Sequence, residues 1–249
     1  QNIRRGQTLF AVDALHGAVD KVADKLSAEG DNLNISWLIT DKFVGLLKNG
    51  DPETIRKFGR ILQIRMKKGK GYLTFIDKMN RSKADIFKNL DLEVKASNLC
   101  NECNLPANEE YSFTCVIINA NLAVYDDFPE HLFHILGIMQ DCNVSNYISE
   151  IEKKSGLNKL FLSKVLKFTK DFRAVGSGVC GFHSLLMQKR VVFGSLESML
   201  INEEVFSRMR KELTEVSQWL ATVLGEPEMM KGTGMRNATV MMMPPTKSS

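Results

Sequence analysis

The feature that most restricts the fold is an alternation of short β-branched or aromatic runs with segments of helical period. QTLFAVD (7–13), NLNISWLIT (32–40) and GYLTFID (71–77) read as strands. Between them, TDKFVGLLKNG predicts a short helix that Gly50 stops. Asp51 and Pro52 predict the cap and first turn of another, with Ile55, Phe58, Leu62 and Met66 on its apolar face. YSFTCVIINANLAV (111–124) predicts a long strand buried on both faces. Helices are expected from Pro129 to about Ile148 and from Leu162 to Phe172. The glycine-rich AVGSGVCGFHSLL (174–186) predicts a tight strand or a strand-to-helix turn. Asn202 is expected to cap a helix carrying Phe206, Met209, Leu213, Val216, Leu220 and Val223, ended by Gly225 and Pro227. ATVMMMPP (238–245) predicts a last buried strand. Strands alternating with helices imply an α/β fold with parallel strands, whose site residues belong at strand carboxyl ends and in the loops that follow.

Composition narrows the class. With 249 residues, 44% hydrophobic and 25% charged, the chain can bury one large core or two small ones. A net charge of +4 is too mild to argue for nucleic acid. No apolar run approaches the roughly 20 residues of a membrane span. Gln1 opens a polar, doubly basic stretch and not a signal peptide. Five cysteines without a secreted disulfide pattern point to a reducing compartment, the cytoplasm. The opening QNIRRG without methionine and the ending PPTKSS are expected to be cut loops of a longer protein.

The chemistry concentrates in KASNLCNECNLP (95–106). Asn98, Cys100 and Glu102 follow at i, i+2 and i+4, which in an extended segment puts amide, thiol and carboxylate on one face. A carboxylate can take a hydroxyl proton, an amide can bind an oxygen, and a thiol can act as nucleophile or radical carrier. The bland alternative for the same residues is a loop with a half-buried cysteine. Cys100 and Cys103 form a C-x-x-C, but zinc needs further ligands; Cys115 is the only candidate third, and in an extended loop Cys100 and Cys103 face apart. Cys103 then reads as a small hydrophobe, Cys115 as a core cysteine able to line the same cavity as Cys100, and Cys142 and Cys180 as packing. His131 and His134 resemble half a metal site without nearby acidic partners, and His183 is undetermined. In the tail, Pro245, Thr246, Lys247, Ser248 and Ser249 follow a strand and could cradle an anion or form an ordinary polar loop.

SNLCNECNLP, TCVIINANLAV and GMRNATVMMMPPTKSS come in the order and rough spacing of the large, catalytic subunit of ribonucleotide reductase. QNIRRGQTLFAVDALHGAVDKV, NLNISWLITDKF and GSGVCGFHSLLMQKRVVFGS are similar to further stretches of that family, so the resemblance covers essentially the whole chain. It implies part of a ten-stranded α/β barrel, of the type shared with glycyl-radical enzymes, with a finger loop through its centre. Residues 1–249 would be the second half of that barrel, without the upstream half and the C-terminal tail. Cys100 would be the thiyl-radical cysteine that abstracts the ribose 3′ hydrogen, Glu102 would take the 3′-hydroxyl proton, and Asn98, with Ser97, would bind substrate. Cys115 would be one of two cysteines that supply electrons and close to a disulfide. Pro245, Thr246, Lys247, Ser248 and Ser249 would hold the substrate phosphates, and Gln1, Arg4 and Arg5 would end the specificity loop.

The resemblance places no metal in this chain. The radical would come from a di-metal small subunit (class I) or, as second choice, from cobalamin, with deoxynucleoside triphosphate and ATP effectors on the complete subunit. Expected partners are the ribonucleotide, the rest of the large subunit, the small subunit, a second copy in a homodimer, and thioredoxin or glutaredoxin. Neither nucleic acid nor membrane is among them. A compact, virus-like version of the family fits; cysteine at 103, where the family is commonly apolar, is a departure. A non-catalytic, reductase-like scaffold is the alternative.

Overall fold

A computed structural model describes residues 8–28 and 33–245. The chain divides into two compact units, 1–108 and 109–249. The first carries β1 (Thr8–Asp13), α1 (Val19–Ala28), β2 (Leu33–Ile39), α2 (Asp41–Lys48), α3 (Pro52–Lys68), β3 (Tyr72–Phe75), α4 (Ile76–Ser82) and α5 (Asp85–Asn89). Its sheet has the order β1-β2-β3 and is parallel throughout, as the strand–helix alternation predicts. Thr40 caps α2 by accepting from the Phe43 amide, and Asp51 caps α3 by accepting from the Thr54 amide at 2.9 Å. Gly69, left-handed at φ 65°, closes α3. The core gathers Leu26, Ile35, Trp37, Phe43, Ile61 and Ile64.

Two expectations for this unit change. The apolar face of α3 is set one notch away: Thr54, Lys57, Ile61 and Ile64 are buried, whereas Ile55 and Met66 are 48% and 86% exposed. Lys57 can face inward because its Nζ donates to the Leu15 carbonyl at 2.8 Å. The strand expected over 71–77 stops at Phe75, and Ile76 begins α4 with its side chain buried.

The second unit carries β4 (Ile117–Asn121), a 3-10 turn (Leu122–Asp127), α6 (Leu132–Glu152), α7 (Gly156–Phe172), β5 (Gly176–Cys180), α8 (Phe182–Gln188) and α9 (Leu196–Leu224). β4 and β5 pair in parallel, and Met241 bridges in parallel to Ser177. The long strand expected over 111–124 is therefore only five residues; Tyr111 and Phe113 instead pack their rings on Phe168 and Phe172 of α7. Helix α9 starts at Ser195, whose hydroxyl accepts from the Ser198 amide, not at Asn202; Gly225 ends it as expected, but Val223 is 58% exposed. The buried strand expected over 238–245 reduces to that one bridge, with Met241 and Met242 half-buried and Met243 exposed. Gly178 makes room for this segment: a Cβ there would meet the Met242 carbonyl, Pro244 Cδ and Asn119 Oδ1, each at 2.5 Å. No described helix is long and apolar enough to cross a membrane.

Candidate active site

Residues 90–105 have no strand ladder of their own, so side chains must hold them. Asn80 on α4 takes both backbone groups of Val94, donating to its carbonyl at 2.9 Å and accepting from its amide at 2.8 Å. Lys83 donates to the Leu92 carbonyl at 2.7 Å, and Asn104 Nδ2 to the Met79 carbonyl at 3.0 Å. Leu105 and Cys103 are buried beneath the loop, Cys103 completely.

The tip is a tight turn, so of the two forms the sequence allows, extended or loop, the loop is the one observed, and the alternation of an extended segment does not apply. The Asn101 amide donates to the Asn98 carbonyl at 3.0 Å, and Asn101 is left-handed at φ 64°. Asn98 organises the turn: its Oδ1 accepts from the amides of Glu102 at 3.1 Å and Cys103 at 3.0 Å. Its Nδ2 donates to Glu102 Oε1 at 2.6 Å. Ser97 donates to the Cys103 carbonyl at 2.7 Å. Asn98 and Glu102 are thus brought together by turn geometry and not by alternation. Cys100 is exposed at the tip and Cys103 is buried, so the C-x-x-C residues point into different environments.

The electrostatics are uneven. Glu102 Oε2 is buried and accepts no hydrogen bond among the described residues. A carboxylate oxygen left this way costs free energy unless something supplies a proton or a donor. Burial first, and then the negative charges of Cys100 and Glu102, push the Tyr72 phenol on β3 up.

Other expected residues fall as follows. Cys115, in the second unit, is exposed and precedes β4, so it is not the core cysteine expected. Cys142 is also exposed on α6, not packed inside, and Cys180 is half-buried at the end of β5. Pro245 is exposed. Thr246, Lys247, Ser248 and Ser249, like Gln1, Arg4 and Arg5, lie outside the described residues. His134 does have acidic neighbours, Glu212 and Glu215 of α9, each 3.3 Å from one ring nitrogen. Nothing local in sequence could reveal a partner some eighty positions away. Ser36, Thr74, Asn80 and Asn101 carry the loop and were missed, because short polar residues in strands and helices give no periodic signal.

Parallel strands with flanking helices, and a side-chain-held loop that carries an exposed thiol and a half-buried carboxylate, define an α/β protein with a candidate site loop. The sequence matches the family described as ribonucleotide reductase, barrel domain, over residues 53–233. The chain belongs to that family. It is similar to the class Id ribonucleotide reductase alpha subunit of Actinobacillus ureae, with a TM-score of 0.91 and 31% identity over 99% of this chain and 47% of that one. It is 30% identical to the ribonucleoside-diphosphate reductase large subunit of Invertebrate iridescent virus 3, over 86% of this chain and 33% of that protein. A vitamin B12-dependent ribonucleoside-diphosphate reductase of Thermoplasma acidophilum is 25% identical, over 86% of this chain and 30% of its own length. The chain thus spans half or less of the proteins it matches.

Proposed function

We propose that this chain is the second half of the catalytic barrel of a ribonucleotide reductase large subunit and converts ribonucleotides to deoxyribonucleotides within the complete enzyme, in the cytoplasm of a cell or infected host. The observation that carries this reading is the turn at 98–103, with Cys100 exposed at its tip and Asn98 holding a partly uncompensated Glu102 carboxylate. In this reading a small-subunit radical, or cobalamin, supplies the oxidising equivalent that makes Cys100 a thiyl. Cys100 then removes the ribose 3′ hydrogen, and Glu102 accepts the 3′-hydroxyl proton. Asn98 keeps Glu102 oriented and meets the substrate beside Ser97. The 2′-hydroxyl leaves as water, Cys115 and a second cysteine outside this chain supply the two electrons and two protons that this reduction takes and close to a disulfide, and Cys100 returns the hydrogen to the 3′ carbon. Thr246, Lys247 and Ser248, with Pro245 and Ser249 beside them, anchor the phosphates, and Gln1, Arg4 and Arg5 belong to the specificity loop.

The test is deoxyribonucleotide formation by the complete large subunit with its radical partner, effector and reductant. Cys100→Ser abolishes product, because an O–H bond is too strong to yield a comparable radical. Reduction at a tenth of the normal rate or more removes Cys100 from the role and favours a scaffold.

A further inference from the structure

The residue between the candidate cysteine and carboxylate is itself anchored. Asn101 Oδ1 accepts from Thr74 Oγ1 of β3 at 2.7 Å and lies 3.2 Å from Ser36 Oγ of β2. The two hydroxyls also touch each other. Two hydroxyl protons cannot fill three oxygen–oxygen contacts at once. The shorter contacts fix the order: Ser36 donates to Thr74, and Thr74 donates to Asn101. Both hydroxyls are buried, Ser36 at 0% and Thr74 at 2% exposure. A buried hydroxyl needs a partner, so the sheet imposes Asn101 on itself as strongly as Asn101 seeks the sheet. Ser36 and Thr74 are diagonal neighbours on adjacent strands, two residues out of register, since Ser36 faces Tyr72 and Leu38 faces Thr74. They are therefore among the best-ordered groups available to hold a loop that has no ladder.

We infer that Asn101 is a positioning residue: the hydroxyl pair of β2 and β3 clamps its amide, and through the left-handed backbone at 101 the clamp fixes where Cys100 and Glu102 sit relative to each other. This rests on the catalytic reading of Cys100 and Glu102 above. Asparagine suits the position twice, since it tolerates the left-handed region and supplies the acceptor. Tyr72, two residues before Thr74 on the same strand, feels the charges of Cys100 and Glu102, as expected if β3 lies beside this turn.

The test uses Thr74→Val, which deletes the hydroxyl at nearly constant shape, and Asn101→Gly, which keeps the backbone region but deletes the amide. Hydrogen exchange of the Asn101, Glu102 and Cys103 amides in the full chain reads the order of the turn. Loss of the clamp speeds exchange at these three by about fivefold or more, the equivalent of one neutral hydrogen bond. The β2 and β3 amides stay protected, the double variant is no worse than the worse single, and Thr74→Ser restores protection. In the complete subunit, Thr74→Val lowers kcat more than it raises KM. Unchanged exchange at 101–103, or loss of protection across β2 and β3 alike, overturns the clamp. Faster exchange with unaltered kcat overturns the positioning role. Should Cys100→Ser leave reduction intact, the catalytic reading fails, while the exchange result still decides the clamp.

Discussion

Two carboxylates of this protein, the buried Asp141 and the half-buried Glu102, are treated in opposite ways. In the second unit, Asp141 is 2% exposed and fully paired. Its Oδ1 accepts from Arg173 Nε at 2.7 Å and Asn237 Nδ2 at 3.3 Å, and its Oδ2 meets Arg236 Nε at 3.4 Å. Arg173 also donates to the Asp141 carbonyl and to Ser145, while Asn237 accepts from the Ser217 hydroxyl and donates to the Arg173 carbonyl. In the first unit, Glu102 has one oxygen held by the neutral Asn98 amide and the other without a donor among the described residues. Charge that is compensated on all sides ties α6, α7 and the segment after α9 together and has no capacity left for chemistry. Charge held by one neutral donor orients a base and leaves it available to a proton. That contrast separates structure from function here more sharply than burial does.

The comparison breaks first at Asp141. Asp141→Ala strands the buried Arg173 guanidinium and should cost about 3–5 kcal/mol, read as a lower urea midpoint of the second unit. A cost near zero would mean that the network is decorative. Asn98→Ala leaves the Glu102 and Cys103 amides and one carboxylate oxygen without their partner, and should cost about 1–3 kcal/mol while disordering the turn. The same denaturation series, with amide exchange at 101–103, measures it. Cys103→Val, a near-isosteric change at a fully buried site, should cost less than about 1.5 kcal/mol, leave reduction intact and alter no metal content. Stoichiometric zinc lost with this substitution would revive the C-x-x-C as a ligand pair.

The parallel α/β scaffold was legible because period-two and period-3.6 patterns alternate cleanly over β1, β2 and α3, and the Asp51 cap is local. The errors share one cause: apolar pattern reports burial, not partner. Ile76 continued the alternation of β3 but begins a helix. Tyr111 and Phe113 look like strand residues yet are buried by α7 rings and not by a ladder. Lys57 took an inward position on α3 that hydrophobicity assigns to its neighbours, because the carbonyl of Leu15, distant in sequence, satisfies it. At the candidate site the contact between Asn98 and Glu102 joins residues close in sequence. The geometry of the turn was not legible, since it depends on a left-handed Asn101 tied to Ser36 and Thr74, residues distant in sequence.

The most direct test of the central claim is Glu102→Gln, followed by equilibrium denaturation of the chain and turnover of the complete subunit. Glutamine keeps an oxygen for the Asn98 amide and removes the uncompensated charge. The urea midpoint should hold or rise, and turnover should fall by about 100-fold or more, the usual contribution of a positioned base. A midpoint lowered by about 1 kcal/mol or more, with turnover retained, would place Glu102 with Asp141 as a structural carboxylate and contradict the account.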